Sequence, residues 1–178
     1  MLYYIGYTPP KYFQALYRGL VRGISHRFQL DKLLEKERIP HITLKSPFEL
    51  DLLASLDSCL NDFSHSQKAS SVHIKGVGRF NSSVIYFGVM PSREMLDSFN
   101  LLLNSLRRVE GVSWGEHDNP DRRLHMTIAK ADELEGKFQD VYDLLNGLSF
   151  QYHLPFNNIT LFKKDQGRTW IHKTYSLL

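Results

Sequence analysis

The chain carries the same short pattern twice: His41 with Thr43 and His125 with Thr127, each followed by an apolar residue. Histidine exchanges protons near neutral pH, because its ordinary pKa is about 6.5, and a threonine hydroxyl can donate a hydrogen bond to an anionic oxygen. Two such pairs can supply a base, an acid and two donors to one phosphate group. The repeated pattern therefore predicts acid–base chemistry on a phosphodiester, carried by these four residues.

The pattern also predicts how the four side chains are displayed. Successive side chains of an extended strand alternate between its faces, so each histidine shares a face with the threonine two residues later. The apolar residues of each motif point to the opposite face. A single copy is explained most simply as an ordinary strand with a well-paired histidine, whereas two matched copies favour a functional cleft.

Composition and charge limit the class of protein. Of 178 residues, 42% are apolar and 23% are charged, as in ordinary globular proteins. The net charge of +3 suits an anionic substrate but is far from that of a protein that coats nucleic acid. The N-terminus lacks the regions of a signal peptide, and no apolar run is long enough to span a membrane. We therefore expect a cytoplasmic monomer with no membrane partner.

Hydrophobic periodicity predicts the elements that must position the motifs. A strand and a helix precede the first motif strand, and a helix and two strands joined at residues 81–83 follow it. A further helix leads through the polar loop 111–121 to the second motif strand. Asp132 is expected to cap a fourth helix, and three strands complete the chain, with Gly167 in the last turn.

The order motif strand, helix, hairpin thus occurs twice, as a weak internal duplication. Two similar lobes related by a pseudo-twofold axis would place His41 and His125 on opposite sides of a groove. We therefore predict an α+β fold in which residues 1–178 form a single bilobal domain. Each lobe is expected to be an antiparallel sheet flanked by helices, with a central cleft between the lobes.

The residues around both motifs resemble those of the 2H phosphoesterase superfamily, which includes 2′-5′ RNA ligase-like proteins and 2′,3′-cyclic nucleotide phosphodiesterases. The resemblance covers nearly the whole chain and rests on residues 40–45 and 124–130, with residues 76–89 similar to the family's middle hairpin. It implies a phosphodiesterase, needing neither metal nor cofactor, that opens 2′,3′-cyclic phosphate ends of RNA or nucleotides. It also allows reversible 2′-5′ ligation of RNA, cleavage of 2′-5′ oligoadenylate, or opening of an ADP-ribose cyclic phosphate.

Two positions depart from the family's pattern. Family members often carry proline before the second histidine and arginine five residues after it, where this chain has Leu124 and Lys130. Lysine keeps the positive charge but loses the bidentate geometry with which arginine binds phosphate. The departures bear on substrate preference and leave the four motif residues intact.

Four further side chains are candidates for substrate binding. Lys45 follows His41 at an even spacing and Lys130 lies at the end of the second motif strand, so either ammonium group could contact phosphate. Phe48 and Phe80 could stack a base, with packing in the core as the alternative for both.

Other kinds of site are not indicated by the sequence. No HExxH, cysteine cluster, P-loop or GxGxxG pattern occurs, so we expect neither a zinc site nor use of ATP or NAD. Arg122 and Arg123 could form a basic rim before the second motif, or lie in a solvated turn. The alternatives to an enzyme are a protein that binds RNA ends or nucleotides in the same cleft and a purely structural domain. The completeness of both motifs favours catalysis.

Overall fold

The computed structural model describes residues 1–35, 38–166 and 168–178, so the turn predicted at Gly167 lies outside these ranges. The strands are β1 (Leu2–Tyr7), β2 (Ile42–Glu49), β3 (Ser70–Phe80), β4 (Val84–Pro91), β5 (His125–Lys130), β6 (Gln151–Phe156), β7 (Asn158–Asp165) and β8 (Arg168–Ser176). The helices are α1 (Lys11–Phe28), α2 (Lys32–Glu35), α3 (Ala54–Ser66), α4 (Arg93–Leu106) and α5 (Phe138–Asn146). None of these helices combines the length and the apolar character needed to cross a bilayer.

The strands form two four-stranded antiparallel sheets, which confirms the predicted α+β fold with two lobes. The order is β2-β1-β7-β8 in the first sheet and β5-β4-β3-β6 in the second. Each motif strand is therefore the edge strand of its own sheet, and the two motif edges lie against each other. The cleft forms where these edges meet.

The two lobes do not correspond to the two repeats of the sequence. The hairpin β3–β4 follows the first motif strand along the chain but pairs in the sheet of the second. The hairpin β7–β8 follows the second motif strand but pairs in the sheet of the first. The chain thus passes from one sheet to the other between β2 and β3, and again between β6 and β7.

Aromatic side chains join the two sheets and the first helix in one core. The Tyr7 ring of the first sheet lies 5.4 Å from the Phe156 ring of the second. Phe13 of α1 contacts two rings of the second lobe, Phe87 at 6.1 Å and Tyr152 at 5.1 Å between centroids. Because the lobes share this core, packing far from the cleft fixes how the motif strands sit relative to each other.

The last predicted helix begins later than the sequence pattern indicated. Residues Ala131–Glu133 form a single 3₁₀ turn, and α5 starts only after it. Glu135 and Gly136 then take positive φ angles of 47° and 84°, a conformation that ends a right-handed helix. The prediction that Asp132 caps a helix was therefore wrong.

A β-bulge near Gly76 places later residues of β3 on the cleft face. The register of β3 against β4 shifts between Ile74 and Val77, and Gly76 has a φ angle of 66°. Beyond the bulge, Gly78 pairs with Tyr86 of β4, and Tyr86 in turn pairs with a residue of the second motif. Paired residues of antiparallel strands share a face, so this part of β3 faces the cleft.

Candidate active site

Both motifs are displayed as the alternation predicts. His41, Thr43, His125 and Thr127 are half-buried. The apolar residues between and after them, each 0% exposed, are Ile42, Leu44, Met126 and Ile128. The apolar face holds each motif strand on the core, while the His/Thr face stays accessible where the two sheet edges meet.

Each motif histidine is held by a main-chain carbonyl two residues earlier. His41 Nδ1 lies 2.7 Å from the oxygen of Ile39, and His125 Nδ1 lies 3.1 Å from the oxygen of Arg123. A carbonyl oxygen only accepts hydrogen bonds, so Nδ1 carries the hydrogen in both rings. Nε2 is then left to take or give a proton, which is the tautomer that acid–base work at Nε2 requires.

Aromatic rings fix the plane of His41. Its centroid lies 5.1 Å from both Tyr4 and Phe162, which stack on each other at 4.6 Å. Phe162 needs room beneath the histidine, and Gly6 supplies it. A Cβ atom at Gly6 would lie 3.3 Å from the Phe162 ring and 2.7 Å from the carbonyl oxygen of Ile42.

The surroundings of His125 repeat this arrangement in the other lobe. Its ring meets Phe80 edge-on at 4.8 Å and lies 5.3 Å from Tyr86, while Phe80 and Tyr86 are 4.4 Å apart. Gly78 makes room for Tyr86, since a Cβ atom there would lie 2.7 Å from three atoms of the tyrosine side chain. In both lobes the tyrosine comes from the second strand of the sheet and the phenylalanine from the third.

The environment lowers the pKa of both imidazoles. Desolvation by burial is the main cause that lowers the pKa of His41 to about 4, and the charges of Arg38, His125 and Lys130 lower it further against the opposing effect of its Nδ1 hydrogen bond. The pKa of His125 is lowered chiefly by desolvation, with a contribution from the charge of Arg122. The influence of His125 and Lys130 shows that both groups lie within electrostatic range of His41. A phosphate bound there would raise both pKa values.

Lys45 does not line the cleft, which corrects its prediction as a phosphate contact. Its side chain is fully buried, and Nζ lies 2.9 Å from Asp118 Oδ2 and 2.7 Å from the carbonyl oxygen of Ser113. The register of β2 against β1 shifts beside Lys45, so the even spacing from His41 no longer indicates the cleft face. The Lys45 ammonium group instead holds the loop that contains Ser113 and Asp118.

Of the other three side chains predicted to bind substrate, one lies in the core and two lie near the motif histidines. Phe48 is 1% exposed and packs on the Lys45 ammonium at 5.0 Å, so it belongs to the core and its predicted stacking on a base is corrected. Phe80 is half-buried beside His125, and its free surface faces the cleft. Lys130 is exposed at the end of β5, where its charge acts on the first motif histidine.

The loop 107–124, between α4 and β5, is fastened to the first motif strand through Asp118. Its Oδ1 accepts a hydrogen bond from the main-chain N–H of Ser46 at 2.8 Å, and its Oδ2 accepts one from Gly115 at 2.9 Å as well as from Lys45. Trp114 covers the ammonium of Lys45 at 4.9 Å. Sequence reasoning missed Asp118, because nothing in a polar loop marks which carboxylate will be buried.

Two more side chains that sequence reasoning missed hold the second motif strand. Arg38 donates from Nη1 to the carbonyl oxygen of Ile128 at 3.0 Å and from Nη2 to the carboxylate of Glu133. The hydroxyl of Tyr17 donates to the carbonyl oxygen of Thr127 at 3.0 Å. Both approach the edge of β5 that pairs with no strand of the described structure, and they satisfy main-chain oxygens there.

Other titratable groups stand apart from this site. His117 in the loop is 74% exposed beside Glu116. Within the part of the chain that the structure describes, no three His, Cys, Asp or Glu side chains are grouped so that they could hold a metal ion.

Comparison with known sequences gives a consistent result. The sequence pattern of the 2′-5′ RNA ligase superfamily matches residues 14–168. A Bacillus mycoides (strain KBAB4) protein with a provisional phosphoesterase name is 27% identical over 147 residues, which is 78% of each chain. A Bacillus cereus (strain G9842) protein named in the same way is 27% identical over 143 residues, again 78% of each chain.

Solved structures share the fold. Escherichia coli LigT complexed with 3′-AMP matches with a TM-score of 0.61 at 16% identity, over 98% of this chain and 96% of that one. A Thermus thermophilus protein matches with a TM-score of 0.66 at 12% identity, over 99% and 98% of the two chains. At these identities the likeness establishes the shared fold.

Proposed function

Because the chain belongs to the 2′-5′ RNA ligase superfamily, we propose that it hydrolyses 2′,3′-cyclic phosphate ends of RNA or nucleotides by acid–base catalysis with two histidines. One observation carries the proposal: a main-chain carbonyl holds both His41 and His125 through Nδ1, neither Nε2 hydrogen-bonds to a described residue, and their motif strands contact each other. Two imidazoles held in the same tautomer at meeting sheet edges are suited to act on opposite sides of one phosphate.

The reaction needs two proton transfers around phosphorus. One imidazole removes a proton from water while the water oxygen attacks phosphorus. The bond from phosphorus to one ribose oxygen breaks, and the other imidazole protonates that oxygen, leaving a phosphomonoester beside a free hydroxyl. Thr43 and Thr127 donate hydrogen bonds to the non-bridging oxygens as their negative charge rises. Ligation would follow the same sequence with the hydroxyl of a second RNA attacking phosphorus in place of water, and its reversal would expel that hydroxyl as the cyclic phosphate forms again.

We assign His41 as the base and His125 as the acid. Burial and three neighbouring cations hold the pKa of His41 at about 4, so this imidazole is neutral and ready to accept a proton. Among positive groups in the described part of the chain, Arg122 is the one whose charge lowers the pKa of His125, so His125 retains a proton more readily beside a bound phosphate. Lys130 then contacts the phosphate, and Phe80 stacks on the base.

A direct assay tests the proposal. Adenosine 2′,3′-cyclic phosphate is incubated with the protein in EDTA, and phosphorus NMR follows the appearance and position of the product phosphate. We expect cleavage in the wild type and a loss of about 10²–10⁴-fold in His41→Ala and in His125→Ala. His117→Ala, at an exposed loop histidine, serves as the matched control and should retain activity.

Two results would count against this function. Turnover retained in either motif variant would contradict the two-histidine mechanism. Binding of the nucleotide by the wild type without cleavage of any cyclic phosphate would favour the alternative, a non-catalytic protein that binds RNA ends or nucleotides in the same cleft.

A further inference from the structure

An arginine precedes each motif histidine by three residues: Arg38 before His41 and Arg122 before His125. Both guanidinium groups reach toward the opposite motif strand. Arg38 contacts the main chain of β5 at Ile128, at 3.0 Å, and Arg122 contacts the hydroxyl of Ser46 in β2, at 3.5 Å. The repeated motif is therefore longer than its His-x-Thr centre, and each lobe presents a cation to the cleft boundary.

The two arginines differ in what they bind. Arg38 is 16% exposed and uses one nitrogen for a carbonyl oxygen and another for the carboxylate of Glu133, so its charge is matched inside the protein. Arg122 is half-buried, and among the described residues its sole side-chain hydrogen bond is the long one to Ser46. A guanidinium has five N–H donors, so most of those of Arg122 remain available.

Asp118, whose charge acts on Arg122, makes its hydrogen bonds to other groups. Asp118 lies four residues earlier on the same loop, but its two oxygens already accept from Lys45 at 2.9 Å, from Ser46 N–H at 2.8 Å and from Gly115 N–H at 2.9 Å. Asp118 is 4% exposed and its charge is matched by Lys45. Arg122 is thus held near the cleft by a well-anchored loop without a carboxylate within ion-pair distance in the described structure.

The positive charge around the cleft exceeds what the reacting phosphate needs. A cyclic phosphodiester carries one negative charge, and Lys130 together with one protonated imidazole already opposes it. Arg122 lies where its loop meets β2, 3.5 Å from the hydroxyl of Ser46, and its charge acts on His125, whereas the charge of Lys130 acts on His41. A second guanidinium there, kept half-buried at an energetic cost, indicates a second anionic group of the ligand.

We propose that Arg122 binds the phosphodiester on the 5′ side of the terminal nucleoside, so that the preferred substrate is an RNA 3′ end and not a cyclic mononucleotide. This inference rests on the proposed function. Arg122 would form charge-assisted hydrogen bonds to the non-bridging oxygens of that linkage. Arg38, being engaged within the protein, cannot do the same on the other side, so the otherwise symmetric cleft accepts the strand in one direction.

Two matched substrates test the proposal: a dinucleotide ending in a 2′,3′-cyclic phosphate, and the same compound with an uncharged methylphosphonate linkage. In the wild type we expect kcat/KM to be about tenfold or more higher for the charged linkage, as for a hydrogen bond between charged groups. In Arg122→Gln the two substrates should become equal, and Arg122→Lys should keep part of the preference. Arg93→Gln removes one exposed positive charge on α4 and should leave the ratio unchanged.

The outcomes separate this inference from the proposed function. Equal rates for both substrates in the wild type, or an equal loss for both in Arg122→Gln, would overturn the role of Arg122 while cyclic phosphate hydrolysis stands. If the wild type cleaves neither substrate, the proposed function fails, and calorimetric binding of the 3′-phosphorylated dinucleotides with the two linkages tests Arg122 alone. Equal affinity of the wild type for both linkages would then overturn the inference.

Discussion

Lys45 of the first motif strand and Asp118 of the loop before the second form a buried ion pair, with 2.9 Å between Nζ and Oδ2. The two side chains are 0% and 1% exposed. Lys45 lies in β2, just after His41 and Thr43, whereas Asp118 lies in the loop that leads into β5 and His125. The ion pair therefore connects the two segments that carry the motifs. The ion pair that connects these segments is buried in the protein and does not line the cleft.

Breaking this pair should destabilise the protein strongly. Lys45→Met leaves the Asp118 carboxylate buried without its cation, and we expect the free energy of unfolding in urea to fall by about 3–5 kcal/mol. Lys173→Met is the control, because its ion pair with Asp57 is about half exposed and should contribute less than about 1 kcal/mol. The double variant Lys45→Met, Asp118→Leu should recover part of the loss. A loss below about 1 kcal/mol in Lys45→Met would show that the pair does not stabilise the loop.

Enlarging Gly78 should impair the site without reaching the reacting atoms. Gly78→Ala would place a Cβ atom 2.7 Å from the side chain of Tyr86, so the tyrosine must move and His125 loses one of its two supporting rings. We expect kcat to fall with little change in the melting temperature. Gly19→Ala on α1 meets nothing within 4 Å and should instead stabilise the helix by about 0.5–1 kcal/mol. Unchanged kcat in Gly78→Ala would argue against positioning by Tyr86.

The pH dependence follows from the direction of the two histidine shifts. The base form of His41 is lost only as pH falls through about 4, and the acid form of His125 is lost as pH rises through a pKa below its ordinary value. We therefore expect kcat/KM to be bell-shaped, with its maximum between about pH 4 and about pH 6.5. Lys130→Gln removes a charge that lowers the pKa of His41, so the acidic limb should move to higher pH. A plateau extending above about pH 8 would contradict the assigned roles.

The threonine hydroxyls should matter to the transition state and little to the fold. Thr43→Val keeps the shape of the side chain and removes the donor, and we expect kcat to fall about 10²–10³-fold. Thr43→Ser restores a hydroxyl and should recover most of the rate. Steady-state kinetics with far-ultraviolet circular dichroism as the folding control distinguishes this from a structural effect. If the valine variant raises KM alone, the hydroxyl binds the ground state and transition state equally.

The face of the strand on which each motif side chain lies could be predicted, because it depends only on the alternation of side chains along a strand. The period of two places His41 and Thr43 on one face, and the buried apolar neighbours confirm that face. The same rule failed for Lys45, only two residues after Thr43, because a register shift intervenes. This register shift arises from the pairing of β2 with β1, and no feature of the β2 sequence indicates it.

Long-range contacts were beyond prediction for a related reason. Tyr17 on α1 reads as an ordinary core residue, yet its hydroxyl meets a carbonyl oxygen of β5, which is 110 residues away in sequence. Phe48 and Phe80 are both aromatic residues near the end of a strand, and only the packing shows that the first is core and the second faces the cleft. Sequence order likewise does not reveal which sheet edge a hairpin will join.

The exchange of hairpins between the sheets affects how the protein folds during its synthesis. The part of the chain before the loop 107–124 supplies β1 and β2 to one sheet and β3 and β4 to the other, and the part after it completes both. On the ribosome, the first half is therefore two unfinished pairs of strands with open edges, a state prone to wrong association. Phe162, the ring that supports His41, arrives with β7, one of the last strands to be made. The support of His41 is therefore complete only after β7 has joined the first sheet.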